Sequence, residues 1–322
     1  MLRTPLCDLL GISVPIVLAP FGPWDEVDLA AAVCESGALG SLGTAIRSPA
    51  ELREQWARLR SLTGKPFAVN HTGRPFNEEA FAATLDAQPA AISFHMGVPA
   101  DLIARAHDRG IAWIQTVGDP RAAEVALAAG ADVLVAQGGE AGGNSGWISS
   151  LVLIPAVVDA AGDVPVVAAG GIADGRGLAA ALVLGAQGAS LGTRFLATTE
   201  MRVSAAWKQR IIEAEALDAV KVPSAERVMP PFNLPQLGPS FVPRALRTPL
   251  IEKLGNDPGT VDPAVAGPEL LAAVKAGGGD EHLPFAGQSV ELIKEVLPAR
   301  EVVSRLLDEA GAALRAGARL AV

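Results

Sequence analysis

Some residue types are scarce in this chain of 322 residues, and their scarcity argues against several classes of protein. The two cysteines, Cys7 and Cys34, are too few to cross-link a domain of this size, which predicts a reducing, cytoplasmic setting. No apolar run approaches the ~20 residues of a membrane-spanning helix, so no membrane association is expected. The apolar residues 9–21 are interrupted by Ser13 and Pro15, and they predict a first strand rather than a signal peptide.

Motifs of several enzyme classes are missing as well. The net charge of −9 comes without a concentrated basic patch, so a small-molecule substrate is expected and nucleic acid is not. No G-x-S-x-G motif and no lysine at a predicted strand end are present, which argues against serine hydrolase and Schiff-base chemistry. The histidines have no short spacing to carboxylates or thiols, so no metal site is expected. They are His71, His95, His107 and His282.

Apolar strand candidates alternate with alanine-rich amphipathic segments along the first two thirds of the chain. The strand candidates are residues 16–19, 39–42, 67–70, 91–94, 111–116, 133–137, 164–169 and 189–192. The helix candidates are residues 26–36, 49–62, 77–85, 101–109, 121–129, 150–161 and 174–184. Continuously apolar strands separated by helices predict a parallel sheet covered on both faces. Eight repeats, with no G-x-G-x-x-G after the first strand, predict a (β/α)8 TIM barrel of the α/β class rather than a doubly wound sheet.

The rest of the chain predicts an appendage to this barrel. Residues 1–218 are assigned to the barrel, residues 219–298 to a proline-rich lid or subunit-contact segment, and residues 299–322 to a C-terminal helix packing on the barrel. Ten prolines between positions 223 and 268 predict an irregular excursion, followed by short helices at 268–275 and 289–297. A segment of this kind commonly serves as a lid or as a contact in a homodimer.

Glycines end the seventh and eighth predicted strands. Gly170 and Gly171 follow the seventh strand, and Gly192, Thr193 and Arg194 follow the eighth. In a (β/α)8 barrel these two loops commonly bind a phosphate on backbone N–H groups. Glycine lets a phosphate approach the backbone, and an arginine adds a charge-assisted hydrogen bond. The sequence therefore predicts a phosphate site here.

The other strand ends are polar but mostly uncharged. They present residues 19–22, Gly40, Ser41, Asn70, His71, His95, Met96, Gly97, Gln115, Thr116 and residues 137–144. Amide side chains both donate and accept hydrogen bonds, so this rim suits a flat heteroaromatic ring. A sugar-phosphate substrate would more often require several charged groups.

Taken together, these segments resemble the nitronate monooxygenase family, whose members are FMN-dependent barrels that include enoyl reductases and quinone reductases. Residues 135–143, VAQGGEAGG, resemble its sixth-strand motif, and AAGGIADGR and LGTRF resemble its FMN-phosphate site. Residues 15–20, 36–40 and 67–70 are also similar to the family, as is the C-terminal segment 285–288 with its AGQ. The resemblance implies bound FMN, with NAD(P)H as a co-substrate in the reductase members.

The resemblance assigns a set of cofactor-binding residues. They are Ala19, Pro20, Phe21, Gly22, Asn70, Gln115, Gln137, Gly138, Gly142, Gly143, Gly170, Gly171, Gly192, Thr193 and Arg194. The last five would hold the phosphate, and the amides would bind the ring or the ribityl chain. For Gln115 the alternative to cofactor binding is a structural role, as a buried polar group that caps a layer of the barrel. Glu140 either binds ribityl hydroxyls or pairs with a cation in its own loop.

Position 144 departs from the family pattern. The family's sixth-strand motif continues into a histidine that is implicated in proton abstraction, and this chain has Asn144. An amide is not a base near neutral pH, so it can only orient a substrate or hydrogen-bond to it. His71 and His95 follow predicted strand ends and are the candidates for a replacement, each with a structural role as the alternative. Tyrosine, another common proton donor in flavin sites, is absent from the chain.

Four functions follow from these residues. The first is oxidation of a preformed nitronate or similar carbanion by O2. The second is NAD(P)H-dependent reduction of a quinone, an enone or an enoyl thioester. The third is a flavin-dependent isomerisation without net redox change, and the fourth is phosphate binding without flavin. Phe21 and Trp24 are expected to cover the substrate side, Trp147 to wall the pocket and Trp113 to lie in the core.

Overall fold

Strands formed by short apolar runs build the centre of the molecule. The computed structural model describes residues 2–24, 26–73, 76–229 and 242–320. Its strands are β1 (Ile16–Leu18), β2 (Gly40–Gly43), β3 (Phe67–Thr72), β4 (Ala91–His95), β5 (Ala112–Val117), β6 (Val133–Gln137), β7 (Gly143–Ser145), β8 (Val166–Ala169), β9 (Gly188–Leu191), β10 (Ala219–Lys221) and β11 (Val242–Leu246). Eight of them pair in parallel in the order β1-β9-β8-β6-β5-β4-β3-β2. A parallel bridge between Val17 and Leu39 joins the two ends and closes the barrel. The predicted (β/α)8 barrel is confirmed.

Helices cover the outside of this barrel. They are α1 (Pro5–Leu10), α2 (Val27–Glu35), α3 (Pro49–Leu62), α4 (Glu78–Ala87), α5 (Ala100–His107), α6 (Pro120–Ala128), α7 (Ser150–Ala161), α8 (Gly175–Val183), α9 (Thr193–Leu196), α10 (Ala205–Glu213), α11 (Pro249–Asn256), α12 (Pro263–Lys275) and α13 (Ala299–Ala318). Short polar side chains start several of them by accepting a backbone N–H: Ser48 caps α3 in a capping box, and Asp119 caps α6. No helix in the described parts of the chain is both long and apolar enough to cross a membrane.

The proline-rich part of the chain is more regular than its composition predicts. β10 and β11 pair antiparallel, and β11 also pairs with β7, which gives a small three-stranded sheet beside the barrel. Pro249 and Pro263 occupy the first turns of α11 and α12, where a missing N–H costs nothing. The irregular excursion predicted here is therefore wrong for residues 242–267, whereas the helix predicted at 268–275 is present as the second part of α12. Residues 230–241 lie outside the described residues.

The helix predicted at 289–297 is also wrong. The chain forms a short 3-10 helix, Gln288–Leu292, and then runs extended to a parallel bridge between Leu297 and Thr198. The helix predicted to end the chain is present as α13.

The barrel interior is filled at its amino-terminal end. Leu6, Cys7 and Leu10 of α1 are buried against the inward-facing side chains of the strands. Thr4 Oγ1 donates to the carbonyl of Gln187 at 2.6 Å and ties α1 to the loop before β9. The opposite end, where the strands finish, stays open. Trp113 is fully buried between the sheet and the helices, as expected.

A close contact between helices α8 and α13 supplies a stability prediction. A Cβ on Gly175 would lie 2.3 Å from both the Ala310 nitrogen and the Glu309 Cβ, whereas nothing lies within 4 Å of the same position on Gly317. We expect Gly175→Ala to lower the free energy of unfolding by about 1–3 kcal/mol. Gly317→Ala, the matched control in α13, should leave it unchanged or raise it by up to ~1 kcal/mol. Urea unfolding of both variants checks this, and equal effects would contradict it.

Candidate active site

A cavity of about 240 Å³ opens at the carboxyl ends of the barrel strands. Side chains that point into a (β/α)8 barrel reach this end, where the chemistry of such folds is located. Most of the residues predicted for the site line the cavity. They are Ala19, Pro20, Phe21, Gly22, Asn70, His95, Gln137, Gly142, Gly143, Asn144, Gly170, Gly171, Gly192 and Thr193.

His71 and Gln115 do not line the cavity, because alternate residues of a strand face opposite sides of the sheet. Asn70 and Thr72 face the cavity, so His71 between them faces the helices, where its Nε2 lies 2.9 Å from Thr84 Oγ1. Gln115 is buried in the same way: its amide donates to backbone carbonyls, including that of Gly97 at 3.0 Å. The alternative for Gln115, a satisfied buried polar group, fits this placement.

Arg194 and Gly138 also lie outside the cavity lining. The Arg194 Nη2 donates to the carbonyls of Ala197 at 2.8 Å and Glu295 at 2.7 Å, so the guanidinium ties α9 to the C-terminal segment instead of pointing at the phosphate loops. Burial lowers the pKa of Arg194 to about 10, so the group stays charged at neutral pH. At Gly138 a Cβ would lie 2.0 Å from Ser150 Oγ, so this glycine serves loop packing.

Glycines form the wall where the phosphate is expected. Gly170 has φ of 96° and Gly171 has φ of 74°, and two successive residues in this left-handed region require glycine. At Gly192 a Cβ would make only ordinary van der Waals contacts, with Ala19 and Phe21 at 3.7 Å. Thr193 Oγ1 accepts a hydrogen bond from the Gly287 N–H at 2.9 Å, which anchors the C-terminal AGQ segment beside these glycines. Beside Gly171 and Gly192 nothing lies closer than 3.7 Å to an added Cβ, so a ligand can approach this part of the backbone, whereas Gly170 is packed against the Gly138 carbonyl and Ser150 Oγ.

Glu140 has a structural task in this structure. Its carboxylate accepts hydrogen bonds from the Ser150 N–H at 2.9 Å and from Ser150 Oγ at 3.0 Å, at the N-terminus of α7. The helix dipole favours a negative charge there. Ser150 Oγ also lies 2.9 Å from the Gly170 carbonyl oxygen, so Glu140 and Ser150 support the phosphate wall from behind.

Glu26 is a residue that the sequence reasoning missed. Its buried carboxylate accepts the Phe21 N–H at 2.6 Å and also the Gly43 N–H, so it joins the loops after β1 and β2. Gly22 and Gly43 touch each other there, and a Cβ on Gly22 would lie 2.8 Å from the Gly43 Cα. An acidic residue at the start of α2, in a largely apolar stretch, was the available signal.

Two buried amide oxygens of the cavity wall have no hydrogen-bond partner among the described residues. They are Gln137 Oε1 and Asn144 Oδ1. A buried acceptor left unsatisfied costs roughly 1–3 kcal/mol, so a polar group is expected to join them. An amide wall, a glycine wall with room for phosphate and an otherwise uncharged lining fit FMN.

His95 is the one titratable side chain among the described residues of the cavity lining. Burial lowers its pKa to about 4, so the imidazole is neutral at physiological pH. It can donate or accept one hydrogen bond, but it is a weak base there. No group of three or more metal-ligating side chains occurs in the described ranges.

Burial also lowers the pKa of His71 to about 4, and this has a consequence for stability. Because the unfolded chain takes up the proton near pH 6.5 and the folded chain does not, the free energy of unfolding falls as pH drops from 6.5 towards 4. We expect this slope to be shallower in His71→Gln. The half-buried His282, replaced in the same way, is the control. Urea unfolding between pH 5 and pH 7.5 measures the slopes, and parallel curves for His71→Gln and the unmodified chain would contradict the assignment.

An aromatic cluster forms one part of the cavity lining. The rings of Trp24 and Trp207 meet edge to face at 5.0 Å, and the Phe285 ring lies 6.0 Å from Trp24. The Trp24 Nε1 donates to the Gly278 carbonyl at 2.9 Å. Phe21 and Trp24 line the cavity as expected, whereas Trp147 is 61% exposed and outside the lining. Trp207 and Phe285 come from segments beyond the barrel strands. Phe285 belongs to the C-terminal segment that resembles the family, whereas no sequence motif marks Trp207.

Comparison with known proteins agrees with this geometry. The nitronate monooxygenase family model matches residues 3–78 and 71–309. A nitronate monooxygenase of Paraburkholderia phytofirmans is 32% identical, over 94% of each chain. The structure of FabK from Thermotoga maritima superimposes with a TM-score of 0.89 at 31% identity, over the full length of both chains.

A third relative has a different activity in its name. It is the (3aS,4S,5R,7aS)-5-hydroxy-7a-methyl-1-oxo-octahydro-1H-indene-4-carboxyl-CoA dehydrogenase of Mycobacterium tuberculosis, which is 37% identical over 79% of this chain and 68% of its own length. The names of these relatives thus state different activities. The resemblance drawn from the sequence motifs is confirmed: the chain belongs to the nitronate monooxygenase family, and it is an FMN-dependent oxidoreductase.

Proposed function

We propose that this enzyme oxidises an alkyl nitronate, or a similar carbanion that is already formed in solution, with O2 as the electron acceptor. The observation that carries the proposal is the amide at position 144. Asn144 lines the cavity where the family motif has a histidine, and the described lining offers no other base that is effective near pH 7. A substrate that arrives as an anion needs no proton abstraction.

The chain's own residues divide the work of binding. We assign the FMN phosphate to the backbone of Gly170, Gly171, Gly192 and Thr193. Asn70 is fixed by its Nδ2, which donates to Ser93 Oγ at 3.0 Å, and together with Gln137 it would hydrogen-bond the ring or the ribityl chain. Residues 19–22, which Glu26 holds in place, would pack against one face of the ring. When bound, FMN supplies the two-electron chemistry.

Asn144 and the aromatic cluster would hold the substrate. An amide N–H of Asn144 can donate to a nitronate oxygen, which carries the negative charge, and such hydrogen bonds to charged groups are the stronger ones. Trp24, Trp207 and Phe285 would enclose the alkyl part and exclude water from the cavity. Exclusion of water strengthens the hydrogen bond from Asn144.

A second candidate is NAD(P)H-dependent reduction of a conjugated carbonyl compound or an enoyl thioester. The aromatic cluster favours it, because it suits a bulky or acyl substrate better than a small polar one. The relative named as a dehydrogenase of a carboxyl-CoA thioester adds support. In this case the Asn144 amide would hydrogen-bond the substrate carbonyl.

Anaerobic stopped-flow absorbance of the FMN-loaded enzyme separates the candidates. The enzyme is mixed with propyl-2-nitronate, 2-nitropropane, NADH or NADPH in turn. Bleaching of the flavin by the nitronate but not by 2-nitropropane is the expected result. Bleaching by NADH or NADPH alone would favour the reductase over the proposed function. If none of the four compounds bleaches the flavin, the isomerase is the remaining candidate. A protein that takes up no FMN on reconstitution would contradict all three.

A further inference from the structure

Strand β7, which carries Asn144, has little rigidity of its own. It is three residues long, Gly142 precedes it and Gly146 follows it, and Gly143 has φ of 63°. Glycine-rich backbone of this length does not hold a single conformation without support from outside. On one side β11 provides that support, since Asn144 is paired with Pro243. The Pro243 carbonyl accepts the Val222 N–H at 2.8 Å, on the side towards β10, so Asn144 and Pro243 form a pair that is not hydrogen-bonded within the ladder.

The side chain of Lys221 on β10 provides a second support. Its Nζ lies 2.8 Å from the Ser145 carbonyl oxygen, 2.7 Å from Ser145 Oγ, 2.8 Å from the Gly146 carbonyl oxygen and 3.1 Å from the Val242 carbonyl oxygen. Ser145 Oγ in turn donates to the Ala141 carbonyl at 3.0 Å. One ammonium group therefore joins β7, β11 and the glycine-rich loop before β7.

The number of acceptors matters for the protonation state. An ammonium group donates three hydrogen bonds, whereas a neutral amine donates two and carries no charge to strengthen them. Four oxygen atoms lie within 3.1 Å of Lys221 Nζ. The contacts with β7 are therefore complete only when Lys221 is protonated.

Among the described residues, three groups face the Lys221 ammonium. Arg244, which comes from β11, is fixed by donating to the Gly139 carbonyl at 2.9 Å. Glu140 comes from the loop before β7, and the Trp147 ring centroid lies 5.1 Å from Nζ. Burial and the Arg244 charge lower the pKa of Lys221 to about 7, and Glu140 opposes them.

We propose that Lys221 is the positioning residue for Asn144: its ammonium group fixes β7 and thereby aims the Asn144 amide into the cavity. The inference rests on the proposed role of Asn144 in holding the substrate. It also assigns a task to the segment after the barrel, since β10 and β11 brace the strand that completes the site. Deprotonation of Lys221 releases β7, so substrate binding weakens as pH rises through about 7.

Three variants of the FMN-loaded enzyme test this: Lys221→Met, Lys221→Arg and, as the control, Lys253→Met on the exposed face of α11. The steady-state KM and kcat are measured from pH 6 to pH 9, with whichever donor bleaches the flavin. In the unmodified enzyme and the control, KM should rise above pH 7. Lys221→Met should raise KM about tenfold at pH 6, as expected for loss of a charge-assisted hydrogen bond, with a smaller change in kcat.

Lys221→Arg keeps the charge at every pH, so its KM should lose the step near pH 7. The ionisation of the substrate affects KM equally in all variants, so it cancels when their KM–pH profiles are compared. A Lys221→Met enzyme that folds and keeps the KM and pH profile of the control would overturn the proposal. If Lys221→Met does not fold, a pH step that persists in Lys221→Arg overturns it instead.

A readout without substrate separates this inference from the proposed function. The fluorescence of Trp147, obtained as the difference from Trp147→Phe, should change near pH 7 as the facing ammonium loses its proton, and it should not change in Lys221→Arg. If the nitronate is inert but NADPH bleaches the flavin, the proposed function fails and the KM test proceeds with the reductase substrate. If Trp147 fluorescence does not change near pH 7, the proposal that Lys221 loses its proton there is wrong, whichever reaction the enzyme catalyses.

Discussion

Asn144→His is expected to give the enzyme activity on neutral 2-nitropropane, with kcat/KM at least ~10² above that of the unmodified enzyme. An imidazole at position 144 would supply a ring nitrogen that can accept a proton from the substrate, which the amide of Asn144 cannot do. Position 144 lies on the cavity wall, where the family motif places its histidine. Nitrite release from 2-nitropropane and from propyl-2-nitronate, at matched pH, measures the change.

Two controls make this result specific. Asn144→Leu, which has a similar volume and no hydrogen-bonding group, should lose activity on the nitronate and gain none on 2-nitropropane. The activity of Asn144→His on the preformed nitronate should change much less than its activity on the neutral compound. If the unmodified enzyme oxidises 2-nitropropane as fast as its nitronate, a base other than residue 144 is present and the interpretation fails.

Gly192→Ala is expected to weaken FMN binding by at least about tenfold without changing the stability of the FMN-free protein. The protein has room for the methyl group, because the nearest atoms, in Ala19 and Phe21, lie 3.7 Å away. A phosphate resting on this backbone would not have that room. Fluorescence titration with FMN measures the affinity, and thermal unfolding measures the stability.

Gly64→Ala is the matched control for that variant. Gly64 is exposed and has no atom within 4 Å of an added Cβ, but it is far from the cavity. Both measurements should be unaffected by this change. If Gly192→Ala keeps its FMN affinity, the phosphate does not bind at the loop after β9 and the assignment is wrong. A loss of stability would show instead that the glycine is needed for folding.

The sequence predicts the barrel well because its strands are continuous apolar runs. The same property hides which strand residues face inward. In a parallel sheet covered on both faces there is no polar alternation to mark the two sides. The sequence predicts that Asn70, His71 and Gln115 all face the site. The structure agrees for Asn70, which lines the cavity, but the side chains of His71 and Gln115 lie on the other face of the sheet.

Residues that act across long sequence distances were beyond prediction. β7 is a three-residue strand within a glycine-rich loop, with no apolar period to reveal it. Its partner β11 follows about 100 residues later and contains a proline, which normally argues against a strand. Lys221 and Trp207 reach their positions only through this tertiary arrangement. For Arg194 the motif is present in the sequence, but its prediction of a phosphate contact is not matched by the structure, because the side chain binds the carbonyl groups of Ala197 and Glu295.

Helix α1 closes the amino-terminal end of the barrel, and this restricts the order of events during turnover. With Leu6, Cys7 and Leu10 filling that end, the cavity has a floor made of side chains, and it opens at the carboxyl ends of the strands. Because both reactants reach the cavity from the same end of the barrel, we expect the first product to leave before the second reactant binds. Parallel lines in double-reciprocal plots, the signature of ping-pong kinetics, are the corresponding expectation.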